Sequence, residues 1–380
     1  MNLFDVYPLF DITPVKGEGC YLYDDKGTRY LDLYGGHAVI SIGHSHPHYV
    51  KAIAEQLQQL GFYSNSVKIP LQQTLAEKLG ALSGYNDYSL FLCNSGAEAN
   101  ENALKLASFK NGRKKIIAFQ KSFHGRTSLA VAATDDKSIQ ASVNQNSDVV
   151  FLPLNDEATL QDAMGEDVCA VIIEGIQGVG GVHIPEASFL QLTRELCTRF
   201  GASLILDEIQ SGYGRSGYFF AHQYAGIKAD LITVAKGMGN GFPIGGVLIS
   251  PAYQAKHGLL GTTFGGNYLA CAAAIAVLDV MKDENLVGNA NHMGNYFKEQ
   301  LHKIEGIKEI RSMGLMTGIE LYSPCAPVRN ELLQMHKIFT GTSSNKNTLR
   351  ILPPLNIGKA EIDVFTEAFT QSLKKIQQPA

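Results

Sequence analysis

Charge is scarce in this chain of 380 residues: Asp, Glu, Lys and Arg make up 18%, against 45% hydrophobic residues. With 36 acidic and 32 basic residues the formal charge is −4, and no short window holds a Lys/Arg block longer than three. A polybasic surface for nucleic acid or an anionic membrane is therefore not expected. There is no C-x-x-C spacing. Cys20, Cys93, Cys169, Cys197, Cys271 and Cys325 are scattered, mostly in apolar runs such as "SLFLC". That pattern argues against a disulfide framework or a metal site and for buried free thiols. "MNLFDVYPLFDITPVKG" has no cationic region ahead of an apolar stretch, so no signal peptide is read there. The longest apolar run, 269–278, is too short to span a bilayer and reads as a buried helix. A soluble cytoplasmic protein is expected. Finally, G-x-x-x-x-G-K-[ST] is absent, and no G-x-G-x-x-G follows the first sheet strand, which argues against a nucleotide or NAD site.

Glycine is what the chain has in excess, 38 of 380, or about 10% where roughly 7% is usual. It clusters, which points to places where the backbone itself does the binding. The length suits about two domains and a core that needs no staples. The first 45 residues read as short strands and turns, with a hairpin around Asp25-Lys26-Gly27. Segment 46–60 carries Val50, Ile53, Ala54 and Leu57 at helical spacing, and 71–82 reads as a second helix. Apolar runs at 88–93, 114–119, 169–174, 202–208, 229–236 and 245–250 follow, with helices between several of them, notably 186–200. Near-continuous apolar strands alternating with helices predict an α/β domain whose mainly parallel sheet is covered on both faces. Helices at 268–282 and 289–304 lead into "IKEIRSMG" and "LMTGIELYS", read as antiparallel strands, then "LRILPPLNI" and a closing helix at 362–376. Residues 46–284 are expected to form the large domain. The segments 1–45 and 285–380 would join as a small α+β domain built from both chain ends.

In such sheets ligands bind outside the carboxyl ends of the strands, and the polar motifs fall there. Lys236 ends "DLITVA" ahead of "GMGNGFPIGG". Desolvation at a strand mouth lowers a lysine pKa toward the nucleophilic range; the plainer reading is a surface lysine capping a strand. Asp207 ends "SLIL", where a carboxylate needs a cation or donors, such as a protonated pyridine nitrogen or merely loop amides. In "NSGAEAN", Ser95, Gly96 and Ala97 open a helix and can cradle a phosphate. Ser95 with Glu98 also reads as an ordinary capping box, and the two roles are compatible. In "KSFHGRT", Phe123 and His124 can cover an aromatic ring, and Arg126 can take a carboxylate bidentately. Core packing and a surface charge are the plain alternatives. Glu174 closes "AVIIE" before "GIQGVGG" and reads equally as a loop-fixing carboxylate.

Taken in order, "YLYDDKGTRYLDL", "GHSHP", "FLCNSGAEANENALKLA", "FHGRT", "LILDEIQSGYGRSG", "DLITVAKGMGNGFPIGG" and "TTFGGNYLACAAA" resemble the class III pyridoxal-phosphate aminotransferases, in the ornithine and acetylornithine subgroup. The resemblance runs along nearly the whole chain. It implies the fold-type I transferase architecture and pyridoxal 5'-phosphate as cofactor. By the same resemblance Lys236 is the lysine that carries the cofactor and moves the substrate proton. Asp207 pairs with the pyridine nitrogen, Gln210 lies near the phenolic oxygen, and Ser95, Gly96 and Ala97 form the phosphate turn. Phe123 stacks on the ring with His124 beside it, and Glu174 lies in the same cofactor site. Thr263 reaches the phosphate of a neighbouring subunit's cofactor, which implies a homodimer with a shared active site.

For the substrates, Arg350 resembles the arginine that holds an α-carboxylate, and Arg126 a second arginine suited to glutamate and 2-oxoglutarate. His37 and Asn65 fall on the substrate side too. The family commonly has "EPIQGEGG" where this chain has "EGIQGVGG". Val179 thus replaces the glutamate that, in ornithine aminotransferases, neutralises the arginine. His37 stands where ornithine aminotransferases carry tyrosine and acetylornithine ones an aliphatic residue. It reads either as packing or as contact with a polar acyl end. The resemblance implies transfer of the δ-amino group of an Nα-acylated ornithine to 2-oxoglutarate in arginine biosynthesis, with N-acetylornithine favoured over N-succinylornithine. Other ω-amine donors (ornithine, 4-aminobutyrate, lysine), an aminomutase and a non-enzymatic use of the fold are the rivals.

Overall fold

The computed structural model describes residues 1–377. Its centre is a seven-stranded sheet in the order Ser89–Cys93, Gly245–Ile249, Leu231–Val234, Ser203–Asp207, Val168–Glu174, Lys115–Phe119, Val149–Leu152. Only Gly245–Ile249 runs against both of its neighbours; the other pairings are parallel. The expected sheet is therefore present, and every position of Val168–Glu174 and Ser203–Asp207 is buried. Burial on both faces explains why these strands read as unbroken apolar runs without alternation.

One strand of this central sheet escaped the sequence reading, as did the two-residue strands Ile338–Phe339 and Gly341–Thr342. Val149–Leu152 lies at the sheet edge, is four residues long and is only half-buried over its first three, so it leaves little pattern. Two helices start earlier than expected. Asn285, at φ 48, turns the chain into Leu286–Leu301, whose first residue is buried. The closing helix is Lys359–Gln377, and the Gly358 N–H donates to the Glu361 carboxylate at 3.1 Å, as at a capped start.

The helices carry the end signals their sequences promise. Gly96–Asn111 opens on Ser95, whose hydroxyl oxygen accepts the Glu98 N–H, and stops at Gly112 with φ 71. A left-handed residue there costs nothing only for glycine. Tyr268–Asp283 opens on Asn267, which accepts the Ala270 N–H, and it buries most of the apolar run 269–278, as expected.

The chain ends meet. Ile338–Phe339 pairs in parallel with Arg29–Asp32, completing a sheet with Tyr21–Asp24 and Pro14–Glu18. A third sheet has the order Ile307–Met313, Met316–Leu321, Thr348–Ile351, Gly341–Thr342. One apolar cluster runs from Leu31 and Leu33 through Ile173 and Leu206 to Phe365 and Phe369, so both ends share a core with the central sheet. Each such Leu or Phe contributes roughly 1.5–3 kcal/mol by leaving water. Arg215 adds a polar tie: fully inside, it donates to the carbonyls of Leu315 at 3.3 Å, Ile40 at 3.4 Å and Pro353. It thereby joins the central body to both chain ends just behind the strand tips. Among the described residues no helix is long and apolar enough to cross a membrane, and no His/Cys/Asp/Glu group could hold a metal.

Candidate active site

The carboxyl ends of the parallel strands open into a cleft of about 380 Å³. Lys236, just past Leu231–Val234, lines it with φ 45. A left-handed conformation costs a side-chain-bearing residue about 1–2 kcal/mol, a strain typical of functional positions. Its amine makes no hydrogen bond or ion pair among the described residues. Dense packing around the side chain pulls its pKa down and the Arg350 charge adds to that, while Asp207 and Glu174 pull the other way. The neutral amine is thus easier to reach than on a free lysine.

Asp207 and Glu174 are register partners at the tips of adjacent strands. The Asp207 carboxylate accepts from Ile209 N–H at 3.0 Å, from Asn100 Nδ2 at 2.8 Å, and meets His124 Nδ1 at 2.8 Å. Asn100, buried, also donates to the His124 carbonyl at 2.7 Å and accepts from the Thr233 hydroxyl at 2.8 Å. Glu174 accepts the N–H of Phe123 at 2.9 Å and of Gly178 at 3.0 Å, as a loop-fixing carboxylate would. Burial pushes its pKa up to about 7; the neighbouring Asp207 adds to this, and His124 and the two amide donors oppose it.

The fit of a phosphorylated pyridine aldehyde can be judged from these groups. The backbone N–H groups of Ser95, Gly96 and Ala97 have no partner among the described residues and stand at a helix start beside the cleft. They suit a phosphate. Glu98 reaches past Ser95 to the Asn94 N–H at 2.6 Å, so the capping box is displaced by one residue and leaves the Ser95 amide free. His124 Nε2 is buried and unpartnered, and Phe123 offers an apolar wall on the cleft. A phosphate cradle, an acid, an aromatic face and a lysine around one cleft match that group.

The remaining sequence-derived positions divide. Arg126 lines the cleft, exposed and without a hydrogen-bond partner among the described residues. Gln210 lines it as well, but its amide is engaged: Nε2 donates to the His37 carbonyl at 3.1 Å, and Oε1 accepts from Arg350 Nη1 at 3.2 Å. Arg350 is 3% exposed and has no ion pair among the described residues. Val179 lines the cleft, and its carbonyl accepts the Ser344 N–H at 2.9 Å, on the same side as Arg350. His37 is exposed and does not line the cleft; its ring is hydrogen-bonded to Tyr34 at 2.5 Å. Asn65 and Thr263 are exposed and lie outside this chain's cleft, with Asn65 Nδ2 donating to Gly265 O at 3.0 Å. Asn100 and Tyr34 were not singled out from sequence. Asn100 was visible as the last letter of "NSGAEAN", one helical turn beyond the phosphate turn and on the side facing Asp207. Tyr34 gave no signal.

A mainly parallel sheet covered by helices, with this set of groups at the strand tips, is the fold-type I architecture of the pyridoxal-phosphate transferases. The family model for class-III aminotransferases matches residues 5–373, and the chain belongs to that family: it is a pyridoxal-phosphate-dependent transaminase. It is similar to the acetylornithine aminotransferase of Methanothermobacter thermautotrophicus, at 42% identity over 96% of this chain and 94% of that one. That of Bacillus subtilis is 41% identical over 98% and 97%. The solved ornithine aminotransferase of Toxoplasma gondii, with partial occupancy of PLP at its active site, matches with a TM-score of 0.90 at 28% identity, covering 97% of this chain and 92% of that chain.

Proposed function

We propose that this enzyme moves the δ-amino group of N-acetylornithine to 2-oxoglutarate, giving glutamate and the acylated semialdehyde, as a cytoplasmic step of arginine biosynthesis. Full-length similarity to acetylornithine aminotransferases supports the donor. The observation that carries the reading is the buried Arg350 guanidinium, without an acidic partner among the described residues, one hydrogen bond behind the cleft-lining Gln210 in a cleft also walled by Val179. A cation left unneutralised is ready for a carboxylate, which both substrates bear.

In this reading Ser95, Gly96 and Ala97 hold the cofactor phosphate, Phe123 its face, and Asp207, oriented by Asn100 and His124, its ring nitrogen. Glu174 fixes the loops carrying Phe123 and Gly178. Gln210 has one amide N–H left for the phenolic oxygen. When bound, pyridoxal phosphate supplies a carbonyl carbon that takes up and passes on the amino group, and a ring that accepts electron density from the substrate carbon. Lys236 holds it and, with its lowered pKa, serves as the base that removes and returns the substrate carbon's proton. Arg350 and Arg126 orient the carboxylates, so that a monocarboxylic donor and a dicarboxylic acceptor share one cleft. Acylation keeps the donor's α-nitrogen from attacking the product aldehyde.

The active unit in this reading is a homodimer, with a large domain at 46–284 and a small one formed by 1–45 and 285–380. Val50, Leu57, Leu60, Phe62, Tyr63 and Phe264 are exposed, and Phe62 and Phe264 pack at 5.4 Å beside Thr263. Covering that apolar surface with a second copy would bring Thr263, with Asn65 near it, to the partner's cleft. N-succinylornithine is the second reading, favoured by Arg126: an unpaired second guanidinium on the cleft suits a second carboxylate on the donor. The test follows loss of the bound cofactor's visible band in a single turnover with N-acetylornithine, N-succinylornithine or ornithine at equal concentration. Fastest conversion by N-acetylornithine supports the proposal, and by N-succinylornithine the second reading. Ornithine reacting as fast as either overturns both.

A further inference from the structure

Arg350 carries a full charge in the interior, and its hydrogen bonds all go to neutral groups. Nε donates to the Thr342 carbonyl at 2.5 Å, Nη1 to Gln210 Oε1 at 3.2 Å and Nη2 to Tyr34 Oη at 3.2 Å. A tyrosine hydroxyl has one hydrogen and two lone pairs. With a lone pair facing Nη2, its hydrogen is free to point elsewhere, and His37 Nδ1 lies 2.5 Å away. The direction of the chain is then Arg350 to Tyr34 to His37. It requires His37 Nδ1 to be an acceptor, which means a neutral ring with its hydrogen on Nε2.

We infer that Tyr34 and His37 form a neutral latch that positions the Arg350 guanidinium for a substrate carboxylate, in place of an acidic counter-ion. This rests on the reading of Arg350 given above. Two backbone features hold the latch in shape. Gly35, Gly36, His37 and Ala38 have φ values of 54, 55, 68 and 64. That left-handed turn, unfavourable for His and Ala, folds the His37 ring back to 4.8 Å from Tyr34. On the other side, a Cβ on Gly341 would stand 2.1 Å from Tyr34 Cε2. The tyrosine ring therefore packs closely against the backbone at Gly341, on the strand that pairs with Arg350. The guanidinium carbon is 5.7 Å from the ring centroid.

The groups facing His37 favour its neutral form. Partial burial lowers its pKa first, and the charges of Arg350, Lys236 and Arg329 lower it further. As pH falls through that lowered value the ring gains a proton, Nδ1 stops accepting, and Tyr34 must turn its hydroxyl. The functional consequence concerns both half-reactions. A carboxylate counter-ion would have to be displaced by each incoming carboxylate, whereas a hydroxyl and an amide leave the cation's charge uncancelled.

The test measures steady-state kinetics of the cofactor-loaded enzyme with 2-oxoglutarate varied, from neutral to acidic pH, for wild type, Tyr34→Phe, His37→Leu, His37→Asn, Gly341→Ala and Arg350→Lys. Retention of the cofactor's visible band checks that each variant is folded. Losing the hydrogen bond to the charged guanidinium should raise KM about five- to tenfold in Tyr34→Phe, and losing only the acceptor that orients that hydroxyl should raise it about three- to fivefold in His37→Leu, each with a smaller change in kcat. Gly341→Ala should act in the same direction by displacing the ring. His37→Asn keeps an acceptor and tolerates the left-handed backbone, so it should restore much of the affinity. The wild-type rise in KM at acidic pH should vanish in it. If Arg350→Lys raises KM while Tyr34→Phe, His37→Leu and Gly341→Ala stay within about twofold of wild type, the latch is refuted and the carboxylate site stands. An unchanged KM in Arg350→Lys would instead refute the carboxylate site itself.

Discussion

Replacing Glu174 by glutamine should make the protein more stable at alkaline pH, although it removes a buried hydrogen-bonding carboxylate. Glu174 stands 5% exposed between Asp207 and two loop amides, and burial raises its pKa from 4.5 to about 7. A raised folded-state pKa means that the native protein holds the proton where the unfolded chain has lost it. The stabilisation from this group is complete below about pH 4.5 and is lost as pH rises through about 7. At about 1.4 kcal/mol per pKa unit, the wild type forfeits roughly 2–3 kcal/mol between about pH 5 and about pH 8.5. Glutamine does not titrate. Like the protonated acid, it keeps one acceptor oxygen for one of the two N–H donors, Phe123 and Gly178, and turns a donor toward the other. The two proteins should therefore melt close together near pH 5. By about pH 8.5 the Glu174→Gln variant should melt about 5 °C higher. The assay is the thermal midpoint of cofactor-free wild type and variant across that range. Parallel curves would refute the reasoning: they would show that the two amide donors keep the carboxylate ionised throughout and that burial does not decide its protonation.

Asn100→Ala removes three buried hydrogen bonds at once, to Asp207, the His124 carbonyl and Thr233. It should cost about 3–5 kcal/mol, seen as a lower melting temperature and poor retention of pyridoxal phosphate. Asp207→Asn removes the strongest influence keeping Lys236 protonated. In the cofactor-free protein, labelling of Lys236 by an amine-directed reagent should then extend to lower pH, and kcat of the loaded enzyme should fall about a hundredfold or more. Phe62→Asp combined with Phe264→Asp puts charge into the exposed apolar patch. Sedimentation should then show monomers, with activity lost even at saturating cofactor.

What could be read from sequence follows from the range of the interactions involved. Strands such as Val168–Glu174 are buried at every position, so their apolar runs carry the information locally, and the polar residues closing them mark the strand tips. Asp207 and Glu174 were legible for that reason, because an interior strand has few other grounds to end on a charge; Lys236 stood out just past such a strand, and the Ser95 turn by its helix-opening signal. Val149–Leu152 was not legible, since a four-residue, half-buried edge strand imposes little pattern. The arginine site was only half legible. Arg350 could be matched to a family position, but Tyr34 lies 316 residues away in sequence. Nothing in "LYGGHAV" shows that a left-handed turn brings its tyrosine and histidine together, or that Gly341 is what makes room for the ring.

Two interior arginines illustrate why motif matching alone misjudges this site. Arg215 and Arg350 are equally buried, at 2% and 3% exposure, and neither has an acidic partner among the described residues. Arg215 points its guanidinium at three carbonyls from three separate segments. Those acceptors belong to the backbone and cannot leave, so its charge is spent on holding the chain ends to the sheet, with its pKa drawn down to about 9 by burial. Arg350 has one such carbonyl, and its other two partners are the side chains of Gln210 and Tyr34. Side-chain partners can rotate aside when a carboxylate arrives; backbone ones cannot. The difference between a structural cation and a substrate-binding one therefore lies in what solvates it. In the proposed reading, neutral and movable partners are what suits Arg350 to an incoming carboxylate, with Val179 standing where the family commonly has a glutamate.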